Sequence, residues 1–374
     1  ASFRQILQVD PGFHVDRVHT ASVGLLQDQY AQDRARITFV NRALEGLRAI
    51  PGVTAVGATS SIPFGDDYND NVVFAEGYQM KPGESVIAPQ SIVITPGYVE
   101  TMGVRITKGR AFDARDRADS QLVVMVDEQL AAKFWPGQDP IGRRMWEPNS
   151  SEQLVVNEKT QFRTVVGVVR SVRMIDLTNR VQPVGAVYFP YNQRPRRTFT
   201  LALRSAQEGE AVASAMRKTI AMIDPSLALF DIKTMNQRMD LTMAPRRAAM
   251  SLALAFSVVA VFLAAVGIYG VLAYLVSQRK KEIGIRIAVG SSQAGIFQLF
   301  LNEGVRLVVG GLAIGLSGAL VLQRAIESQL YGVHPLEPTV LAMVVVLMGV
   351  VAMVASLWPA RQAMQVDPLV VLSE

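Results

Sequence analysis

The chain has 374 residues, half of them hydrophobic, with 37 basic against 32 acidic side chains, three histidines and no cysteine. Its net charge of +5 is scattered, with no basic stripe interleaved with aromatics, and so does not point to nucleic acid. A disulfide framework and a CxxC redox or zinc motif are excluded, and the positive mean hydropathy suits a chain that is part soluble and part membrane.

Residues 18–26 (VHTASVGLL) have strand character, and the stretch 30–50 places Ile37, Val40, Leu44 and Leu47 on one helical face. Pro51-Gly52 stops that helix, and VTAVGATSSI from Val53 is the next strand. A matching unit lies far downstream: TFTLALR at 198–204, a helix over about 208–223, an Asp224-Pro225 turn, then LALFDI at 227–232. Two such β-α-β units predict a split, ferredoxin-like layer with a long insertion at about 66–195. Within the insertion, strands are expected at 72–75, 91–94, 122–126, 164–169 and 186–189, with one short helix, EQLAAKFW at 128–135, closed by Pro136-Gly137. Asp66, Asp67 and Asp70 with Asn69 and Asn71 lack the glycine and distal glutamate of a calcium loop and read as a solvated turn. Asp113, Asp116 and Asp119 alternate with Arg115 and Arg117, as a charged surface loop satisfied locally would, and 147–161 is a polar excursion.

From Thr234 a helical run passes Met235, Met239, Leu241 and Met243 and reaches Pro245-Arg246-Arg247. With no histidine or cysteine beside them, these methionines suit a packing surface better than a metal box. The chain divides near residue 247. Residues 248–278 carry no charge at all, and a bilayer core is crossed by about 20 apolar residues of helix. The run stops at Arg279-Lys280-Lys281-Glu282. Two further uncharged stretches, 307–323 and 338–360, are flanked by Arg306, Arg324, Glu337 and Arg361. The former is rich in glycine (Gly310, Gly311, Gly315, Gly318), which suits close helix packing in a bundle. No acidic or basic side chain lies inside the spans, which speaks against a charge-lined pore.

Catalytic motifs are missing. His14, His19 and His334 are not at HExxH spacing, and there is neither a G-x-S-x-G elbow nor a G-x-x-x-x-G-K-[ST] phosphate loop. The expectation is a chain that is not an enzyme and holds no metal or cofactor, any ATP being bound by another polypeptide. After Lys281, Ile283, Ile285, Ile287 and Val289 alternate with Gly284, Arg286 and Ala288, a strand by strict alternation; continuity with the span and the shared face of Ile283 and Ile287 favour helix. Gly290 breaks the pattern, and Ser291 or Ser292 can cap a helix carrying Ile296, Phe297, Leu299 and Phe300. Such a cationic, apolar elbow suits either lipid headgroups or a docking protein.

The string AVGIYGVLAYLVSQRKKEIGIRIAVGSSQAGIFQLFLNEG (265–304) closely resembles the FtsX/MacB-like permeases of ABC transporters. There, the resemblance implies, the segment leaves the first helix of a three-helix membrane block, turns at a Glu-Ile-Gly motif and contacts a cytoplasmic ATPase. Glu282, Ile283, Gly284, Arg286, Ala288 and Gly290 occupy the matching positions, while Val289 and Ser291 depart from the common leucine and alanine. WPARQAMQVDPLVVLSE (358–374) resembles the family terminus. VDPGF (9–13), LRAIPGVTAVGATSSIPF (47–64), TPGYVETMGVRITKGRAF (95–112), FWPGQDPIGRRM (134–145) and TVVGVVRSVR (164–173) resemble the MacB-type periplasmic core domain, in the form found in large duplicated permeases of acidobacteria. In that family a membrane helix precedes the core domain, so the chain is expected to be the latter half of a longer permease.

The expected architecture is an α+β extracytoplasmic domain over 1–245, followed by an all-α block over 246–374 with transmembrane helices at about 249–277, 305–324 and 338–359. Arg279, Lys280, Lys281, Arg286 and Arg306 in the first short loop, against Arg324 alone in the second, put the elbow inside; Arg246 and Arg247 pull the other way. Residues 1–245 are therefore expected on the periplasmic side of a bacterial inner membrane. The resemblance implies a non-catalytic permease subunit that couples ATP hydrolysis to periplasmic movement and exports peptides, lipoproteins or antibiotics by mechanotransmission. Its implied partners are an ABC ATPase, a second permease half or homodimer mate, membrane lipids and a periplasmic adaptor or enzyme, with no nucleic acid. Two alternatives stay open: a signalling scaffold that activates a periplasmic enzyme without transport, and a relic permease lacking an ATPase.

Overall fold

The computed structural model describes residues 10–148, 156–175, 184–207 and 209–279, and beyond these 281, 282, 285, 289, 298, 302, 304–306, 308–318, 321, 342–351 and 353–355. The chain divides into two compact units, Ala1–Pro245 and Arg246–Glu374.

In the first unit, strand β1 (Val18–Gly24), helix α1 (Asp33–Arg48) and strand β2 (Val53–Thr59) form the first β-α-β unit. The apolar stripe of α1 buries Phe39, Val40, Ala43, Leu44 and Leu47, and the turn after it uses Gly52 at φ 82°. The second unit is β10 (Thr198–Ser205), α4 (Glu210–Ile223) and β11 (Leu229–Thr234). These strands stand in the order β11-β1-β10-β2, every neighbouring pair antiparallel, which is the split β-α-β arrangement expected from the sequence. The two helices cross closely: a Cβ on Gly46 of α1 would lie 2.7 Å from Thr219 of α4.

Between β2 and β10 lie β3 (Phe74–Ala75), β4 (Gln90–Ile94), α2 (Tyr98–Met102), β5 (Ile106–Gly109), β6 (Val123–Asp127), α3 (Glu128–Phe134), β7 (Arg144–Trp146), β8 (Arg163–Val169) and β9 (Ala186–Pro190). The elements α2, β5 and β7 were not foreseen; each is short and lacks a periodic pattern. The inserted strands run β4-β9-β6-β8-β7-β3, with β5 also on β8. Parallel pairs (β4 with β9, β6 with β8) mix with antiparallel ones. One register pair, Thr59 with Ile94, joins this part to the ferredoxin-like part.

Strand alternation sorts the core onto two faces. Val93, Val124, Val126, Leu201 and Leu203 point into a larger cluster beneath α1 and α4, and Ile92, Ile94, Val123, Met125 and Ala202 into a second. The central strands β4, β6 and β9 are buried on both faces, which explains their unbroken apolar runs. The loop of alternating charges meets the expectation of local pairing at Asp113 and Asp119 but not at Asp116. Asp116 is buried, its side chain 4 % exposed, and is gripped by Arg110 through Nη1 and Nη2, each at 2.8 Å. The neighbouring arginines do not hold it: Arg115 pairs with Asp113 and Arg117 with Asp119.

Helix α5 (Met235–Gln278) is 44 residues long and contains Pro245. It does not end at that proline, although Pro245 has no N–H to give to the carbonyl of Leu241 four residues earlier. Its stretch Arg247–Gln278 is the one helix among the described residues long and apolar enough to cross a membrane. A three-helix membrane block is not found among the described residues: near the second and third expected spans stand two apolar helices of 10–17 residues, Gly304–Gly318 and Ala342–Ala355.

Candidate functional site

Of the six elbow residues, Glu282 is described, helical and exposed; Ile283, Gly284, Arg286, Ala288 and Gly290 lie outside the described residues. Between them, the Val289 N–H donates to the Ile285 carbonyl at 3.0 Å, a helical i→i−4 bond rather than a ladder bond. Ile285 and Val289 are exposed, the latter by 82 %.

In the span, Ser251 Oγ donates to the Ala248 carbonyl at 2.9 Å and Ser257 Oγ to the Ala253 carbonyl at 2.7 Å. Gln278 Nε2 donates to the Tyr274 hydroxyl at 2.7 Å. These polar groups are thus satisfied within their own helix, as an apolar solvent demands. Leu272 and Val276, one turn apart, are buried, whereas Leu254, Phe256, Phe262 and Leu263 point outward.

The start of α5 is the most heavily tied part of the helix. Thr234 and Gln237 form a capping box: Gln237 N–H donates to Thr234 Oγ1 at 3.2 Å and Thr234 N–H to Gln237 Oε1 at 2.9 Å. One residue later, Arg238 is fully enclosed, its side chain 3 % exposed against 28 % for its partner Asp231. Arg238 Nη2 meets Asp231 Oδ2 at 2.6 Å and donates to the Asp231 carbonyl at 3.0 Å, while Nε donates to Thr20 Oγ1 at 2.9 Å. Thr20 Oγ1 in turn donates to the Lys233 carbonyl at 2.7 Å, and Lys233 Nζ lies 2.5 Å from Asp231 Oδ1. Asp231 meets both Arg238 and Lys233 at a place where a bulge shifts the β1–β11 register between Thr20 and Ser22 and its own backbone is in the left-handed region at φ 50°. Partial burial opposes its ionisation, but hydrogen bonds from Lys233 and Arg238 outweigh that and hold its carboxyl below the usual range. Around this polar knot Met235 and Met243 are buried beside Phe13, Val18, Phe64 and Ala202, with Met239 half-buried. The methionines are the packing surface their spacing suggested; Arg238 and Asp231 were missed, although T-x-x-Q before the apolar run was a visible helix start.

The family comparison fits both parts of the molecule. A family model described as MacB-like periplasmic core domain matches residues 3–219, and one described as FtsX-like permease C-terminal matches residues 254–368. The chain belongs to the MacB/FtsX-like ABC transporter permease family. It is 24 % identical over 348 residues to the macrolide export ATP-binding/permease protein MacB of Bartonella quintana (strain Toulouse), covering 88 % of this chain and 47 % of that protein. It is 26 % identical over 291 residues to the macrolide export ATP-binding/permease protein MacB 2 of Aeromonas hydrophila subsp. hydrophila, covering 74 % of this chain and 42 % of that one. The chain spans about half the length of the curated relatives it matches. The solved periplasmic region of MacB from Actinobacillus actinomycetemcomitans is similar at 14 % identity and a TM-score of 0.39, covering 62 % of this chain and 95 % of its own. MacB/FtsX-like permeases are inner-membrane proteins with a periplasmic domain, and they work with ABC ATPases. The root of α5 falls between the two matched regions, after 219 and before 254.

Proposed function

We propose that this chain is the non-catalytic permease part of an ABC exporter, in which helix α5 carries motion between an ATPase docked at the elbow and the periplasmic core domain. The observation that carries this reading is the pairing, in one uninterrupted helix, of a root keyed by Thr20, Asp231 and Arg238 with an uncharged stretch long enough to cross a bilayer. Coupling between distant sites requires an element whose two ends both bias its position. A helix bonded into β1 and β11 at its root can pull on them directly.

On this reading residues 1–245 are the periplasmic core domain, with its insertion at about 66–195. Residues 246–374 are a multi-pass permease domain in the inner membrane, with spans at about 249–277, 305–324 and 338–359. The functional unit pairs this chain with a second permease half or a second copy. The similar proteins are named ATP-binding/permease proteins, while this sequence has no phosphate loop, so ATP is hydrolysed on a different polypeptide segment. Substrates are exported by mechanical displacement on the periplasmic side, and Glu282, Ile283, Gly284, Arg286, Ala288 and Gly290 form the ATPase contact.

The test is co-purification of the full-length parent protein from its native membrane with its ATPase, comparing the unaltered chain with Glu282→Ala and Gly284→Val. Stimulated ATP turnover is expected to fall about tenfold in the elbow variants, a coupling loss of about 1.4 kcal/mol. Unchanged ATPase recovery and turnover in both variants would remove the elbow from the mechanism.

A further inference from the structure

Away from the root of α5, the inserted part of the core domain gathers more positive charge at one point than its own carboxylates balance. Met145 of β7 pairs with Arg163 of β8, so Met145, Glu147 and Arg163 share a face of the sheet. Phe189 of β9 lies there too: the Arg163 guanidinium sits 5.2 Å from its ring centre, and that of Arg194, from the turn after β9, sits 4.5 Å away. Among the described residues one carboxylate stands against these two cations: Glu147, which meets Arg194 Nη1 at 2.6 Å and accepts a hydrogen bond from Asn71 Nδ2 at 3.2 Å.

Arg163 Nη1 is buried and has no hydrogen-bond partner among the described residues. An enclosed donor on a cation is costly to leave unpaired. Burial disfavours the charged form of Arg163, Glu147 partly offsets this, and the neighbouring Arg194 adds to it. Arginines that merely roofed the core would account for the stacking on Phe189. They would not require a donor turned inward without an acceptor.

We infer that Arg163 and Arg194 form a binding site for an oxyanion, a carboxylate or a phosphate group, on a small molecule or at the end of a larger one. Guanidinium N–H groups are suited in shape and charge to both anions. Glu147 is the internal competitor, holding Arg194 while the site is empty of ligand. The site is separate from the elbow and does not depend on ATP coupling.

The test titrates the full chain, purified in detergent at constant ionic strength, with inorganic phosphate and separately with N-acetylalanine, using N-acetylalanine amide as the uncharged control and calorimetry as the readout. Saturable binding of an anion is expected, weakened about tenfold in Arg163→Gln, as loss of a charge-assisted hydrogen bond implies. The exposed Arg143→Gln should leave it unchanged. Glu147→Gln should bind about tenfold more tightly because the competitor is gone, a gain that impaired folding cannot mimic. Preference for N-acetylalanine points to an acid or peptide terminus, and preference for phosphate to a phosphorylated or phospholipid source; either supports the site. Binding of neither anion, equal binding by Arg163→Gln and the unaltered chain, or no gain in Glu147→Gln would overturn it.

Discussion

Helix α5 contains two stretches made on opposite principles. Over its first three turns, position is specified by named partners: a capping box, an enclosed arginine, and methionines sunk beside Phe13 and Phe64. Over Arg247–Gln278 the character changes: Ser251 and Ser257 bond back to their own helix, and Leu254, Phe256, Phe262 and Leu263 point outward. Lipid is a solvent without directional demands, so hydropathy alone suffices to hold such a stretch in it. The root is different: Arg238 bonds to Asp231 of β11 and Thr20 of β1. One end of the helix is specified by partners on two strands, and the rest by composition.

The largest effect should come from breaking the solvent preference. Leu263→Arg at the middle of the span replaces a favourable residue with one costing about 3 kcal/mol, so that insertion loses about 3–4 kcal/mol. The fraction of full-length chain recovered in membranes should fall sharply. Normal recovery would mean that this stretch does not lie in lipid.

Next comes the anchored end. Arg238→Met keeps the side-chain volume but leaves the half-buried Asp231 with Lys233 alone, and should cost about 3 kcal/mol in thermal unfolding. If the root transmits motion, the same change should lower stimulated ATP turnover while leaving ATPase recovery intact. The sign of the pH effect follows from the lowered pKa of Asp231. A carboxyl depressed in the folded state contributes stability above its unfolded value of about 3.8 and loses it as pH falls through the lower folded value. Stability should therefore drop below about pH 4, and Asp231→Asn should flatten that part of the acid limb. An unchanged limb would show that the carboxylate is not held as the geometry implies.

The same contrast governs what could be read in the sequence. The span was legible because hydropathy is a local, additive signal, and the ferredoxin-like order because α1 and α4 each carry an apolar stripe between two strands. Strand β5 was not, since only Ile106 of its four residues is partly covered, nor was β7, a three-residue piece whose partner β8 supplies the reason for its extension. Helix α2 packs so tightly on β2 that a Cβ at Gly57 would lie 2.4 Å from Tyr98 Cα, a constraint that belongs to two distant segments at once. At the candidate sites the elbow was visible as a motif. By contrast, Arg238 looked like any charge near a membrane, and its partner depends on a bulge and a left-handed residue. Arg163 and Arg194 looked like scattered surface charge, because only the folded sheet brings both guanidiniums to the ring of Phe189.

The smallest effect is the sharpest test of how the root is specified. Thr234→Ala and Gln237→Ala each remove one half of the capping box, and each should cost about 1 kcal/mol. Because the two bonds satisfy different backbone donors, the losses would add if they were independent. They share one turn of helix, however, and losing either frees the backbone that orients the other. The double variant should therefore lose less than the sum, by about 0.5 kcal/mol. Simple additivity in thermal unfolding would mean that the root is held by Arg238 and the methionines, with the cap as decoration. Non-additivity would make the first turn a single cooperative piece, and that is what a helix needs if a pull along its axis is to reach Asp231 and Thr20 before its own end unwinds.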